Sequence, residues 1–164
     1  MVKININLFA EGEVVYTDGG VLAEFAWVLV VLPFIAALII TFVGKNLPLK
    51  GAEIALGTIG IIFSYSLALM YLHITKGVAN EFFINVGSIG QFDIEFGWVV
   101  DGLSIMMYFV VGLVALLVFI YATNYMEGEI RYTFFFTSLT LFAGSMLVLV
   151  SSPTLIQILI GWEL

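Results

Sequence analysis

Long apolar runs separated by short polar segments dominate this chain. A helix crosses the roughly 30 Å hydrocarbon core of a bilayer with about 20 apolar residues. Four runs fit that length, at residues 21–43, 52–73, 101–122 and 132–150. A fifth apolar stretch, residues 154–164, has helical character but covers only about half of such a core. The pattern therefore predicts an all-α integral membrane protein with four complete transmembrane helices and the start of a fifth.

Residues 77–97, between the second and third spans, follow a different period. Apolar and polar side chains alternate along 91–96, which is typical of a strand with one polar face. A similar run covers 81–87, and the glycine-containing segment 87–90 favours a turn between the two. We therefore expect a short surface β-hairpin between helices two and three.

These elements divide the chain into four parts. They are a polar N-terminal extension at 1–20, two transmembrane helices at 21–76, the hairpin at 77–97, and two transmembrane helices with the start of a fifth at 98–164. The extension lacks the basic and apolar regions of a signal peptide. A chain end inside a bilayer is costly. We therefore expect a piece of a longer protein or one half of a split gene product, with an intact chain whose last helix is interfacial as the alternative.

The composition indicates a lipid-facing protein and argues against several kinds of binding site. Hydrophobic residues make up 62% and charged residues 10%, where soluble proteins carry about 25% charged residues. The net charge of −7 argues against nucleic acid as a partner. Without cysteine, and with His73 as the single histidine, neither a thiolate site nor a metal or haem site is expected. Lys45, Lys50 and Arg131 flank the first and third loops, which places those loops on the cytoplasmic side.

Two acidic residues are candidates for a specific role. Glu163 is an ionisable residue in the last apolar stretch, so it is a candidate for proton transfer or for one half of a buried ion pair. The alternative is that Glu163 begins a solvated loop. Asp101 stands directly before an apolar run, as a helix cap does, and a structural role is the favoured interpretation. No dinucleotide or phosphate-binding motif is present, so no cofactor is expected on this chain.

From Phe96 onward the order of residues resembles a known family. The residues that carry the likeness are, in order, Phe96-Gly97, Val100-Asp101-Gly102-Leu103-Ser104, Tyr125-Met126, Gly128-Glu129, Phe135-Phe136, Ser145-Met146-Leu147 and Gly161-Trp162-Glu163-Leu164. This pattern is similar to the N-terminal part of the antiporter-like subunit, called subunit 5 or L, of NADH:quinone oxidoreductase (complex I). The chain departs from that pattern at Phe134, where family members usually carry arginine, and at Pro153-Thr154 before the fifth helix.

The resemblance implies a proton-translocating subunit in the inner (plasma) membrane of a prokaryote. Glu163 matches the family's glutamate that pairs with a lysine on a later helix. The resemblance also implies that NADH, flavin, iron–sulfur clusters and quinone are bound by partner subunits, and that other membrane subunits surround this one. Two alternatives stay open: a subunit of a multisubunit sodium/proton antiporter or other antiporter-like complex, and a non-catalytic membrane scaffold.

Overall fold

The computed structural model describes residues 17–18, 20–89 and 92–164. Within this part of the chain, four helical segments are long and apolar enough to cross a membrane: Trp27–Asn46, Ala52–Lys76, Gly102–Tyr125 and Tyr132–Ser151. The predicted fold class, a mostly helical membrane protein with a small antiparallel sheet, is therefore confirmed.

The elements follow one another in a simple order. They are β1 (Thr17–Asp18), α1 (Gly20–Glu24), α2 (Trp27–Val43), a 3-10 turn (Gly44–Asn46), α3 (Ala52–Lys76), β2 (Val78–Ile89), β3 (Phe92–Val100), α4 (Gly102–Tyr125), α5 (Tyr132–Ser151) and α6 (Leu155–Glu163). The spanning helices α2 to α5 agree closely with the predicted spans. Helix α6 is the start of the fifth.

The first predicted span, residues 21–43, is divided into two helices in the structure. Helix α1 ends at Glu24 and α2 begins at Trp27. In the intervening turn, the Ala26 amide donates to the Ala23 carbonyl at 3.3 Å and the Leu29 amide donates to the Ala26 carbonyl at 3.0 Å. These are the shorter-range bonds of a tightened 3-10 turn, which is frequent at helix ends. The apolar pattern alone could not show this local change of hydrogen bonding.

The hairpin is present but longer than predicted. Strands β2 and β3 pair in antiparallel fashion from Asn80 opposite Val100 to Ile89 opposite Phe92. Gly87, which the sequence suggested as the start of the turn, instead lies within β2 beside a register irregularity. The predicted turn position Gly90 lies outside the described residues. Two-residue β1 adds a parallel pairing to the start of β2.

Packing explains why pairing continues past the predicted end of the hairpin at residue 97. Phe82 and Trp98 stack with ring centroids 4.4 Å apart, and such cross-strand aromatic pairs stabilise a sheet. Val78 and Val100, at the two ends of the strands nearest the helices, are fully buried. Tertiary burial therefore extends both strands beyond their alternating segments.

The helices pack as two main pairs, α3 with α4 and α2 with α5, and α6 packs on α5. Small residues allow close approach where helices cross. A Cβ at Gly144 of α5 would lie 3.1 Å from Pro33 of α2, and one at Gly112 of α4 would lie 3.2 Å from Phe63 of α3. The core between the helices contains the fully buried Tyr108.

The outside of the bundle is apolar. Phe42 is 79% exposed and Ile74 is 75% exposed, and many other large apolar side chains share this surface. Such a surface is expected in contact with lipid, which is as apolar as the protein core. Tyr121 and Tyr125 stack near the end of α4, where aromatic rings suit the membrane–water interface.

Candidate functional site

The bundle has two ends of different construction. The hairpin end consists of β2, β3, the last turn of α3, the first turn of α4, the last turn of α5 and the first turn of α6. The loop end consists of the connections 44–51 and 126–131. Glu163 belongs to the helix that begins at the hairpin end, so the candidate site is built there.

Helix α6 begins after a short non-helical segment and is capped at its first turn. Ser152 is extended and Pro153 follows it, which separates α6 from α5. Thr154 is also extended, and its side-chain oxygen accepts a hydrogen bond from the Gln157 amide at 3.4 Å. A threonine oxygen at this position satisfies one of the amides that a helix start leaves without an intrahelical partner. Helix α6 then runs to Glu163.

Gly161 fixes the depth of α6 against α5. It is buried, and a Cβ there would lie 3.0 Å from the backbone nitrogen of Leu149. Leu149 is close to Ser151, the last residue of α5. Glu163 lies two residues after Gly161, which is only about 3 Å along a helix axis. Glu163 is therefore nearer to the hairpin end than the count of residues from Thr154 suggests.

The side chain of Glu163 lies on the outside of the described bundle. Residues two apart on a helix are about 200° apart around its axis, so Glu163 points away from the α5 face that Gly161 contacts. Glu163 is exposed, and among the described residues no hydrogen bond or ion pair reaches its carboxylate. Glu163 is thus presented to whatever lies beside this face.

A buried amide that the sequence analysis did not single out lies one turn into α6. The Gly97 amide donates to Oε1 of Gln157 at 3.0 Å, and Nε2 of Gln157 donates to the Gly97 carbonyl at 2.8 Å. Gln157 is only 7% exposed. Its carboxamide therefore pairs with β3 as a neighbouring strand would. A single amide inside an otherwise apolar helix was the signal available in the sequence, but the partner is 60 positions away.

Asp101 lies where β3 ends and α4 begins. Its carboxylate oxygen Oδ1 accepts a hydrogen bond from the Ser104 amide at 2.7 Å, which is the geometry of an N-cap. The Ser104 hydroxyl in turn donates to the Val150 carbonyl at 3.4 Å, linking α4 to α5. Asp101 thus starts the third span and stands close to the end of the fourth.

A second carboxylate, Glu81 on β2, lies close enough to Asp101 for its pKa to be affected by the charge of Asp101. Partial burial raises the pKa of Glu81 above its usual value, and the negative charge of Asp101 raises it further. Nearby in α4, Tyr108 is fully buried, with its hydroxyl close to Ser151 at the end of α5. The hairpin end therefore brings two carboxylates and a buried tyrosine hydroxyl close together.

His73 contributes to this end as a structural contact. Its Nδ1 lies 2.7 Å from the Val78 carbonyl oxygen, so the ring nitrogen donates across the turn from α3 to β2. A Cβ at Gly102 would lie 2.8 Å from Nε2 of the same ring. Over residues 17–18, 20–89 and 92–164, no group of three or more metal-binding side chains comes together.

The loop end has an open cavity of about 430 Å³. It is lined by residues of both loops, including Lys50 and Glu127. Beside it, Glu53 accepts a hydrogen bond from the Leu49 amide at 3.1 Å, while its second carboxylate oxygen has no partner among the described residues. The two loops that were predicted to be cytoplasmic therefore meet around this open cavity.

Four membrane-length helices, a surface hairpin and an outward-facing carboxylate on a fifth helix define a polytopic α-helical membrane protein. The family within that class follows from sequence comparison. Residues 87–136 match the family model described as "NADH-Ubiquinone oxidoreductase (complex I), chain 5 N-terminus". This matched segment contains the end of β2, all of β3 and α4, and the start of α5.

Individual relatives extend the match to most of the chain. It is 36% identical to NAD(P)H-quinone oxidoreductase chain 5 of Picosynechococcus sp., with 87% of this chain and 23% of the relative covered. It is 37% identical to the same chain of Synechocystis sp., with 87% and 22% covered. For the chloroplast subunit 5 of Chlorokybus atmophyticus, identity is 33%, with 86% and 23% covered.

The resemblance drawn from the sequence is therefore confirmed. Over most of its length this chain is related to the N-terminal part of subunit 5, the antiporter-like subunit of complex I-type quinone oxidoreductases. The chain spans less than a quarter of the length of these relatives.

Proposed function

We propose that this chain forms the N-terminal part of a proton-translocating membrane subunit in a complex I-type NADH or NAD(P)H:quinone oxidoreductase. The observation that carries this proposal is the match of 87% of the chain to chain 5 of two such enzymes. The four membrane-length helices agree with a subunit that works inside the bilayer.

Glu163 is the residue proposed to handle the proton. It occupies the Gly-Trp-Glu-Leu segment that carries the family likeness, and it faces outward from α6. A nearby cation would favour its ionised form, whereas apolar surroundings would favour the neutral acid. A lysine from outside the described residues, moving toward or away from Glu163, would thus couple ion pairing to the gain or loss of a proton.

The electron-transfer chemistry is proposed to lie on other subunits. NADH, flavin, iron–sulfur clusters and quinone would be bound there, while this chain contacts lipid and neighbouring membrane subunits. The proposed location is the inner (plasma) membrane of a prokaryote; the relatives come from cyanobacteria and chloroplasts. Neighbouring genes for flavin and iron–sulfur subunits would support this assignment, whereas a gene set made only of membrane proteins would favour a cation/proton antiporter.

Substitution of Glu163 in the assembled complex tests the proposal. E163Q keeps the size of the side chain but removes its ability to ionise. We expect proton translocation, measured per quinone reduced in sealed vesicles, to fall by at least about tenfold, since general acid–base groups contribute about 10²- to 10⁴-fold. E163D, which keeps a carboxylate, should retain part of the activity.

The matched control is E129Q, which neutralises an exposed carboxylate in the loop 126–131. It should leave translocation unchanged. Complex assembly is followed on native gels for every variant. Normal translocation by a fully assembled E163Q complex would contradict the proton role and favour the scaffold alternative.

A further inference from the structure

The hairpin and the helix that carries Glu163 are joined by one side chain. Gln157 pairs with both backbone polar groups of Gly97, at 3.0 and 2.8 Å, and these two hydrogen bonds are buried. Gly97 cannot carry a larger side chain here, because a Cβ would collide with the carbonyl oxygen of Phe82 on β2. The backbone N–H and C=O of Gly97 are thus both directed to the carboxamide of Gln157.

A second contact lies one turn further along α6. Gln157 and Gly161 are four residues apart, so they occupy the same face of the helix. Gly161 packs on the backbone of Leu149 in α5. One anchor on β3 and one on α5 together determine the rotation and the depth of α6.

This double anchoring sets the direction of Glu163. The residue lies about 240° around the helix from Gln157 and about 200° from Gly161, which is the opposite face. A rotation of α6 by one residue, about 100°, would turn Glu163 away from its present direction. The contacts of Gln157 oppose that rotation because its carboxamide has to stay in the plane of the β3 edge.

We infer that Gln157 is a positioning residue, which ties α6 to the hairpin and thereby holds Glu163 facing outward. The inference rests on the proposed function, since it concerns the same carboxylate. It makes the surface hairpin part of the support for the proton-carrying side chain.

The test uses the complete assembled complex with a Q157L substitution. Leucine has a similar size but leaves the Gly97 amide and carbonyl without a partner in a buried place, which is unfavourable. We expect hydrogen–deuterium exchange in the peptide covering 92–100 to become about tenfold faster. We also expect proton translocation to fall about fivefold, with its pH profile displaced by about half a unit or more because Glu163 changes surroundings.

Q157E gives a second, independent measurement. A protonated carboxyl group has one donor and one acceptor, as the amide has here, whereas the ionised form can only accept. Q157E should therefore match the wild type in hairpin exchange at acidic pH. At alkaline pH its exchange should be faster than that of the wild type, because the bond to the Gly97 carbonyl is lost, but no faster than that of Q157L. The control L159M changes an exposed apolar residue of the same helix and should alter neither readout.

The outcomes separate this inference from the proposed function. If E163Q abolishes translocation while Q157L accelerates hairpin exchange but leaves the pH profile unchanged, Gln157 is structural only and the positioning role is overturned. If E163Q leaves translocation intact, the proposed function fails, and the exchange data still decide whether Gln157 holds α6. If the Q157L complex does not assemble, Q157E alone decides. The inference is overturned if Q157E has the same hairpin exchange rates and the same pH profile of translocation as the wild type at every pH.

Discussion

The two ends of the bundle are held together by different means. At the hairpin end, side chains reach across to the backbone of another element: His73 to Val78, Ser104 to Val150 and Gln157 to Gly97. At the loop end, no such bond among the described residues is fully buried, and a tight glycine contact lies beside them. A Cβ at Gly51 would lie 2.7 Å from Ile40.

Two side-chain hydrogen bonds from α5 lie at this end. The Thr133 hydroxyl donates to the Lys50 carbonyl at 3.0 Å in an exposed place, and the Tyr132 hydroxyl donates to the Thr123 carbonyl of α4 at 3.4 Å. The cavity of about 430 Å³ opens beside them. The buried pair of directional bonds made by Gln157 fixes rotation as well as distance, whereas a glycine contact such as that of Gly51 limits only the separation of two elements. The helix that carries Glu163 starts at the end with the directional bonds, as a preorganised site requires.

Among substitutions at the two ends, G97A at the hairpin end should cause the largest loss of stability. The new methyl group would collide with the Phe82 carbonyl oxygen, and main-chain atoms cannot move aside as a flexible side chain can. We expect the free energy of unfolding to fall by about 3 kcal/mol, at the upper end for overpacking. Thermal unfolding of the purified protein in detergent measures this. The control is G57A, since Gly57 has open space around its Cα; an equal loss in both variants would contradict the steric explanation.

At the loop end, G51A should cost less. Gly51 has a φ of +98°, which an alanine adopts only with strain, and the added methyl group would lie 2.7 Å from Cγ2 of Ile40, a less severe overlap than that of G97A with the Phe82 carbonyl oxygen. We expect a loss of about 2 kcal/mol. G128A separates the two causes, because Gly128 has a φ of +90° but no neighbour within 4 Å. It should lose only about 1 kcal/mol. Equal losses in both variants would mean that crowding against Ile40 is unimportant.

The smallest effect should come from E81Q, and it should depend on pH. Because the pKa of Glu81 is raised in the folded protein, mainly by burial and then by Asp101, the unfolded chain loses its proton first as pH rises. The stability of the hairpin should therefore decline from about pH 4.5 upward through the raised pKa. E81Q should abolish this decline, seen as hairpin hydrogen exchange corrected for the intrinsic pH dependence.

D101N provides the matching control for that measurement. Asparagine can still cap α4, but it removes the negative charge that acts on Glu81. The decline should become smaller without disappearing. An unchanged decline in the E81Q variant would mean that another group is responsible.

Much of the fold could be predicted because bilayer-length apolar runs are a strong signal. Helix α5 was predicted to end at Val150 and ends at Ser151, and α3 continues past His73 to Lys76, where Gly77 adopts a φ of 63°. The turn of the hairpin was harder. Glycine is common both in turns and beside bulges, and Gly87 lies beside an irregularity in the strand register, not in the turn.

The candidate site was predictable only in part. Glu163 stood out because carboxylates are rare in apolar helices. Its outward direction follows from Gly161 and Gln157, and their partners Leu149 and Gly97 are set by tertiary packing. Local pattern contains no information about which strand edge a distant amide will meet.

The pairing of α2 with α5 has a consequence for the order of assembly. Pro33 and Phe34 are synthesised long before Gly144, the residue that they pack against. At ribosomal rates of roughly 5–20 residues per second, an interval of roughly 5–20 s separates these partners. During that time α2 must rest against lipid, α3 or the insertion machinery. Helix α2 is thus synthesised and inserted before the glycine of α5 against which it packs.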